Sequence, residues 1–179
     1  MLFRSPVPLA VLLFMKFERG IADFQFVEEF VWIEELGVSW HLGVDGISLL
    51  MVVLTAILVP ISLAASTAIT DRVRLFIAMT LLLEAGLIGV FLALDLFLFF
   101  VFFEVILIPM AFIIGIWGSE DRIYAAVKFF LYTALGSALM LAGIIALAFI
   151  HRDQVGSLSF SYMDLLTLDL DRKSTRLNS

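Results

Sequence analysis

The sequence predicts an all-α fold, a polytopic transmembrane helix bundle with four full spanning helices and a partial N-terminal one. Three observations carry this expectation. The chain is 63% hydrophobic and 16% charged, with mean hydropathy +1.11, whereas a soluble domain is about half apolar and about a quarter charged. Its apolar residues fall in runs of about 20, enough to cross ~30 Å of hydrocarbon at ~1.5 Å per residue. The charges between those runs alternate in sign, as they do in loops on opposite sides of a bilayer.

Residues 1–170 read as a single membrane domain, with spans over about 43–65, 73–94, 95–117 and 125–150. The middle two spans are divided only by the short link around Asp95, which predicts a tight antiparallel hairpin. The N-terminal run at 6–15 is too short to span. Arg4 precedes it as in a signal peptide, but Lys16 follows directly and no small-residue cleavage site appears. It is expected to be the tail of a longer helix.

Loop charges set the orientation. Arg72 and Arg74 lie in one loop, and Arg122 and Lys128 in another two crossings later, so both should face the cytoplasm. The segment 16–42 holds Glu18, Asp23, Glu28, Glu29, Glu34 and Glu35 against Lys16 and Arg19. It is expected to be an external loop, on the same side as the Asp95 turn and the segment after Ile150. Up to Leu170 the remainder reads as an amphipathic loop or short helix. The tail 171–179, DRKSTRLNS, is polar and aperiodic and reads as non-native sequence.

Several function classes are excluded early. The chain has no cysteine, which rules out disulfides and thiolate metal sites. Its two histidines, His41 and His151, lack metal-ligand spacing. No basic cluster suggests nucleic acid. The sequence also lacks a Gly-rich phosphate loop, a Ser-His-Asp arrangement and any cluster of haem or iron–sulfur ligands.

The chemistry-bearing candidates lie inside the spans. Glu104 sits in LDLFLFFVFFEVILIPMAFIIGIW, residues 94–117, as the only charge after Asp95. A carboxylate at mid-bilayer costs about 2.5–3.5 kcal/mol on insertion scales, so such a group faces protein or a water-filled path. There it can take up and release protons. The plainer reading is a structural hydrogen bond to a neighbouring helix.

Glu84 is the other carboxylate within a span. It lies eleven residues before Asp95, and Glu104 lies nine after it. At ~1.5 Å per residue both stand ~14–16 Å from the turn, and two adjacent carboxylates disfavour joint ionisation. Glu84 therefore reads as a second proton-transfer candidate, with a contact to a partner subunit as the alternative.

Pro109 blocks the hydrogen bond to the Val105 carbonyl, which either frees that carbonyl to hold a water beside Glu104 or makes a packing kink. Pro60 reads as a kink alone. Lys128 reads as a lysine that snorkels to the interface, with a point of proton uptake as the alternative. Ala134, Ala138 and Ala142, with Gly136 and Gly143 nearby, form a small-residue stripe suited to close helix packing. The Phe97, Phe99, Phe100, Phe102 and Phe103 run is expected to contact lipid and other subunits.

Three stretches carry a resemblance: HLGVDGISLLMVVLT (His41–Thr55), GVFLALDLFLFFVFFEVILIPMAFIIGIWG (Gly89–Gly118) and AAVKFFLYTALGSALML (Ala125–Leu141). Their motifs are VDG-S-LL, D-x-F-x-F-F-x-F-F-E-x-x-L-I-P-M and G-I-W-G. They closely resemble the subunit M (chain 4) family of proton-pumping NADH:quinone oxidoreductase, respiratory complex I, over roughly Val7 to Leu166. The resemblance implies that Glu104 is the carboxylate of a proton half-channel, paired with a buried lysine on a later helix beyond this chain. It implies a family of about fourteen helices, of which this chain covers a stretch near the N-terminus. It also implies no cofactor on this chain, with NADH, FMN, iron–sulfur clusters and quinone held by partner subunits. The implied partners are the lipid bilayer and other membrane subunits, antiporter-like chains among them, and the implied location is the bacterial inner membrane. Two other readings remain open: an antiporter-like subunit of a cation/proton antiporter or membrane-bound hydrogenase complex, and a structural membrane scaffold.

Overall fold

The computed structural model describes residues 6–18, 20–21 and 23–168. Arg4, Arg19 and the tail 171–179 lie outside the described residues. Helix α1 (Val7–Lys16) leads into a hairpin of β1 (Gln25–Ile33) and β2 (Val38–Val44). Then follow α2 (Gly46–Ala65), α3 (Val73–Leu92), α4 (Leu96–Trp117), α5 (Arg122–Val155) and the short α6 (Tyr162–Leu166). Among the described residues, α2 to α5 are the four helices long and apolar enough to cross a membrane.

The segment expected as an external loop carries regular structure. Residues 25–44 pair as an antiparallel hairpin, with Glu29 opposite His41 and Phe30 opposite Trp40. The strands are rich in aromatic and β-branched residues, which favour a pleated, half-buried surface. Gly37 turns the hairpin at φ +66°, and a Cβ there would also collide with the Leu158 carbonyl. Both the angle and the space call for glycine.

Span boundaries shift as well. Helix α3 stops at Leu92, and Asp95 is the N-cap of α4 rather than its first turn. Helix α5 runs 34 residues, from Arg122 through His151 to Val155, or ~51 Å at ~1.5 Å per residue. Hydropathy marks only the part that suits hydrocarbon, and the polar ends continue the helix past it.

Asp95 organises one end of the bundle. Its side chain is fully buried, and Oδ1 accepts from the Phe97 and Leu98 amides at 2.8 and 3.0 Å. Oδ2 accepts from the Ser39 amide at 3.0 Å and the Ser39 hydroxyl at 3.3 Å. Backbone bonds beside it complete the knot: Leu94 N–H donates to the His41 carbonyl, Leu96 N–H to Phe160 and Tyr162 N–H to Leu94. The hairpin, the α3–α4 turn and the segment after α5 therefore meet at one end, as the charge pattern requires. At the opposite end Trp117 Nε1 donates to the Asp71 carbonyl at 2.9 Å, and Arg122 reaches the Ile116 carbonyl at 2.7 Å.

The helices pack in chain order, each against the next. Gly86 and Gly89 let α3 approach α4 closely, since a Cβ on Gly86 would stand 2.7 Å from Ile106 and one on Gly89 would overlap the Phe102 ring. The phenylalanine run is only partly as expected. Phe97 and Phe100 pack on the core of Val38, Ile144, Ala148 and Phe160, while Phe102 meets Trp40 edge-on at 5.8 Å. The small-residue stripe does not face α4. Ala138 and Ala142 are exposed, and a Cβ on Gly136 or Gly143 would meet nothing within 4 Å. The face of α5 turned to α4 instead carries Ala126, Met140, Ile144 and Ala148.

Replacing Asp95 removes a cap and strands a buried amide. In a full-length subunit, Asp95→Ala should cost more than the ~1 kcal/mol of an ordinary cap, by about 1–3 kcal/mol for the unsatisfied Ser39 N–H. Detergent unfolding read by helical circular dichroism measures it, with Asp95→Asn losing less. A loss for Asp95→Ala no greater than that of an ordinary cap would contradict the assignment.

Candidate functional site

Glu104 lies in the third turn of α4, ~14 Å along the helix from the Asp95 cap. Its direction follows from the neighbouring contacts. Phe102 and Ile106 face α3 against Gly89 and Gly86. Glu104 is two residues from each of them, ~200° round the helix, so it points away from α3. It shares its face with Phe100, which packs on the α5 cluster, and with Gly115, whose added Cβ would stand 3.5 Å from Ala126.

Those contacts also set the register between α4 and α5. Phe100 and Met140 pack on one cluster and Gly115 lies beside Ala126, so in the antiparallel pair Glu104 stands level with Ser137. Ser137 is buried, and its hydroxyl donates to the Ala134 carbonyl at 3.0 Å, leaving the oxygen lone pairs free. Glu104 itself is half-buried and forms no hydrogen bond or ion pair with another described residue. Pro109 is fully buried in the same helix, so the Val105 carbonyl beside Glu104 has no N–H to receive from residue 109.

Glu84 does not join it. Gly86 and Gly89 face α4, and Glu84 lies ~200° round α3 from Gly86. It is 3% exposed and shares its face of α3 with Ile88, which lines a cavity with Val52 and Ala56 of α2. The two carboxylates therefore stand back to back across the α3–α4 pair, offset by about one helical turn. The expectation of adjacent carboxylates at equal depth is corrected. Counting residues from Asp95 gave depth but not rotation about each axis.

Lys128 is brought to neither. It lies two residues from Ala126, on the exposed side of α5, with Nζ 5.6 and 5.9 Å from the Tyr124 and Tyr132 rings. That arrangement is a cation between two aromatic faces. Sequence reasoning missed Ser137, whose only signal was a hydroxyl in the fifth turn of an apolar helix. It also missed the capping role of Asp95, which an Asp two and three residues before the first paired amides could have announced.

Among the described residues, no group of three or more His, Cys, Asp or Glu side chains is placed to hold a metal. His41 and His151 both lie at the Asp95 end. His151 Nδ1 is 2.8 Å from the Ser157 carbonyl, and His41 Nε2 is 4.0 Å from Glu29.

Comparison with known proteins identifies related chains. Residues 9–90 match the family described as NADH-ubiquinone oxidoreductase chain 4, amino terminus. Residues 93–178 match NADH:quinone oxidoreductase/Mrp antiporter, TM. NADH-quinone oxidoreductase subunit M of Rhodobacter capsulatus is 51% identical over 139 residues, covering 78% of this chain and 27% of the relative. Subunit M of Escherichia coli K12 is 42% identical over 153 residues, covering 82% and 30%. Among solved structures, a chain of respiratory complex I from Thermus thermophilus superposes with a TM-score of 0.72 at 33% identity, over 92% of this chain and 33% of that one. A chain of the Mrp complex from Dietzia sp. gives 0.66 at 19% identity, over 84% and 16%, and shows the shared fold. The chain thus spans about 27–33% of the length of these curated relatives and the complex I chain.

The facing of Glu104 is open to a direct test, helped by the absence of native cysteines in this segment. In a cysteine-free full-length subunit, the pair Glu104→Cys and Ser137→Cys should oxidise to a disulfide, because such a bond needs Cβ atoms ~3.5–4.5 Å apart. The pair Glu84→Cys and Glu104→Cys should not. Electrophoresis before and after reduction reads both, and cross-linking of the second pair alone would contradict the register.

Proposed function

The chain belongs to the subunit M (chain 4) family of NADH:quinone oxidoreductase, and on that premise we propose that it forms part of a proton-translocating membrane subunit of that enzyme. Such a subunit would couple electron transfer from NADH to quinone with proton movement across the membrane. The observation that carries the reading is Glu104, a half-buried carboxyl in mid-helix that faces α5 and makes no hydrogen bond or ion pair with another described residue. A structural hydrogen bond to α5 would have engaged it.

The chemistry follows from what surrounds it. A carboxyl passes protons when it can hold one and release it to an aligned acceptor. The Ser137 oxygen keeps free lone pairs at the same level, and the Val105 carbonyl lacks its usual donor. Both can accept from a protonated Glu104 or from water next to it. The family resemblance supplies the remaining element, a lysine on a later helix that would favour the charged carboxylate. Two states of one carboxyl, biased by a cation that moves or changes charge, amount to a proton relay.

Redox chemistry would belong to partner subunits, which hold NADH, FMN, iron–sulfur clusters and quinone. Support comes from the donor set, since the sequence has no cysteine thiolate to ligate a cluster. The chain is a multi-pass membrane protein, with partners among the other membrane subunits and a place in the bacterial inner membrane. The antiporter reading is less well supported. Identity is 40–51% to the subunit M relatives, and by structural superposition 33% to the complex I chain against 19% to the Mrp complex chain.

In the assembled enzyme, Glu104→Gln keeps the shape of the side chain and removes its exchangeable proton. Proton pumping into vesicles driven by NADH should fall at least about tenfold, a barrier rise of ~1.4 kcal/mol or more, while the complex still assembles on native gels. Pumping that survives in Glu104→Gln would support a structural scaffold instead.

A further inference from the structure

Glu84 poses a separate question, because its Oε1 is buried with no hydrogen-bond partner among the described residues. Its neighbours across the interface can be placed. Val52 and Ala56 of α2 line one apolar cavity with Ile88 and Leu92 of α3, while Asp45 and Ser48 line another with Phe91. This antiparallel register sets Thr55 and Ala56 level with Glu84. Thr80 lies one turn along α3 on the same face as Glu84. Thr55, Ala56, Thr80 and Glu84 are all buried.

None of these groups offers Glu84 a donor. The Thr55 hydroxyl donates to the Met51 carbonyl at 2.8 Å, and the Thr80 hydroxyl donates to Phe76 at 2.9 Å. Pro60 lies inside α2 and has no N–H to give the Ala56 carbonyl four residues before it. By this register Glu84 Oε1, which has no partner, stands level with the Ala56 carbonyl, which lacks its usual helical donor. An unpaired acceptor in an apolar interior costs about 1–3 kcal/mol. A guest with two hydrogen-bond donors satisfies both, and a buried water needs only two to four polar partners.

We propose that Glu84, the Ala56 carbonyl freed by Pro60 and the walls formed by Thr55 and Thr80 make a buried hydration site between α2 and α3, in which one water donates to Glu84 Oε1 and to Ala56. The site is distinct from the surroundings of Glu104, which face α5. Pro60 then acts as more than a kink, since it supplies the second acceptor. Glu84 gains contact with an exchangeable proton on the far side of the α3–α4 pair.

The test is an electron cryo-microscopy map of the whole enzyme at a resolution that shows ordered waters. Density within hydrogen-bond reach of both Glu84 Oε1 and the Ala56 carbonyl is expected. Glu84→Leu removes the acceptor and Pro60→Ala returns an N–H to Ala56, so each variant should lose that density. Glu104→Gln should leave it in place, which separates this site from the pumping assay. An empty interface in the wild type, a protein donor on Glu84, or density that persists in both variants would overturn the proposal. So would density that requires Na⁺ at constant pH, which would identify a cation.

Discussion

One buried carboxylate, Asp95, sets the frame. Four donors converge on it, two from the first turn of α4 and two from Ser39 of the hairpin. A tight turn between two membrane helices leaves several amides without helical partners, and each one left unpaired in a water-poor setting costs several kcal/mol. Asp95 and the backbone bonds beside it satisfy those amides with groups drawn from three separate stretches of chain. The arrangement fixes where α4 begins and how it is rotated. The facing of Glu104 follows from that rotation.

Serial packing then sorts the two interior carboxyls. Helix α3 lies between α2 and α4, and its glycines are taken up by the α4 side. Glu84 is left to the α2 interface. Helix α4 presents Phe102 and Ile106 to α3, so Glu104 is left to α5. Two acids that look like a pair along the sequence thus serve two interfaces. The α5 side offers Glu104 the Ser137 hydroxyl oxygen, and α4 itself offers the Val105 carbonyl left without a donor by Pro109. The α2 side offers Glu84 only acceptors. These different surroundings argue for different roles.

Much of the architecture was legible in the sequence. The four apolar runs, the α3–α4 turn at Asp95 and the grouping of loop charges at two ends all appear in the structure. Hydropathy reports them because burial in hydrocarbon is an average over a whole span. The rest depends on rotation and on pairing across the chain. The hairpin at Gln25–Val44 was hidden by its acidic residues, which read as loop, although Phe30 and Trp40 stack at 5.8 Å across it. The small-residue stripe on α5 has the spacing of a packing face, yet α4 chose the neighbouring face with Ala126 and Ile144. Glu104 was found from its isolation. Ser137 became visible only once two helices were in register.

The central claim is that Glu104 exchanges protons during turnover from a site facing α5. Infrared difference spectra of the full-length subunit in its assembled enzyme, taken with and without NADH-driven turnover, measure this directly. A carboxyl band that changes with turnover and vanishes in Glu104→Gln is expected. A spectrum in which turnover leaves every band assigned to Glu104 unchanged would contradict the claim.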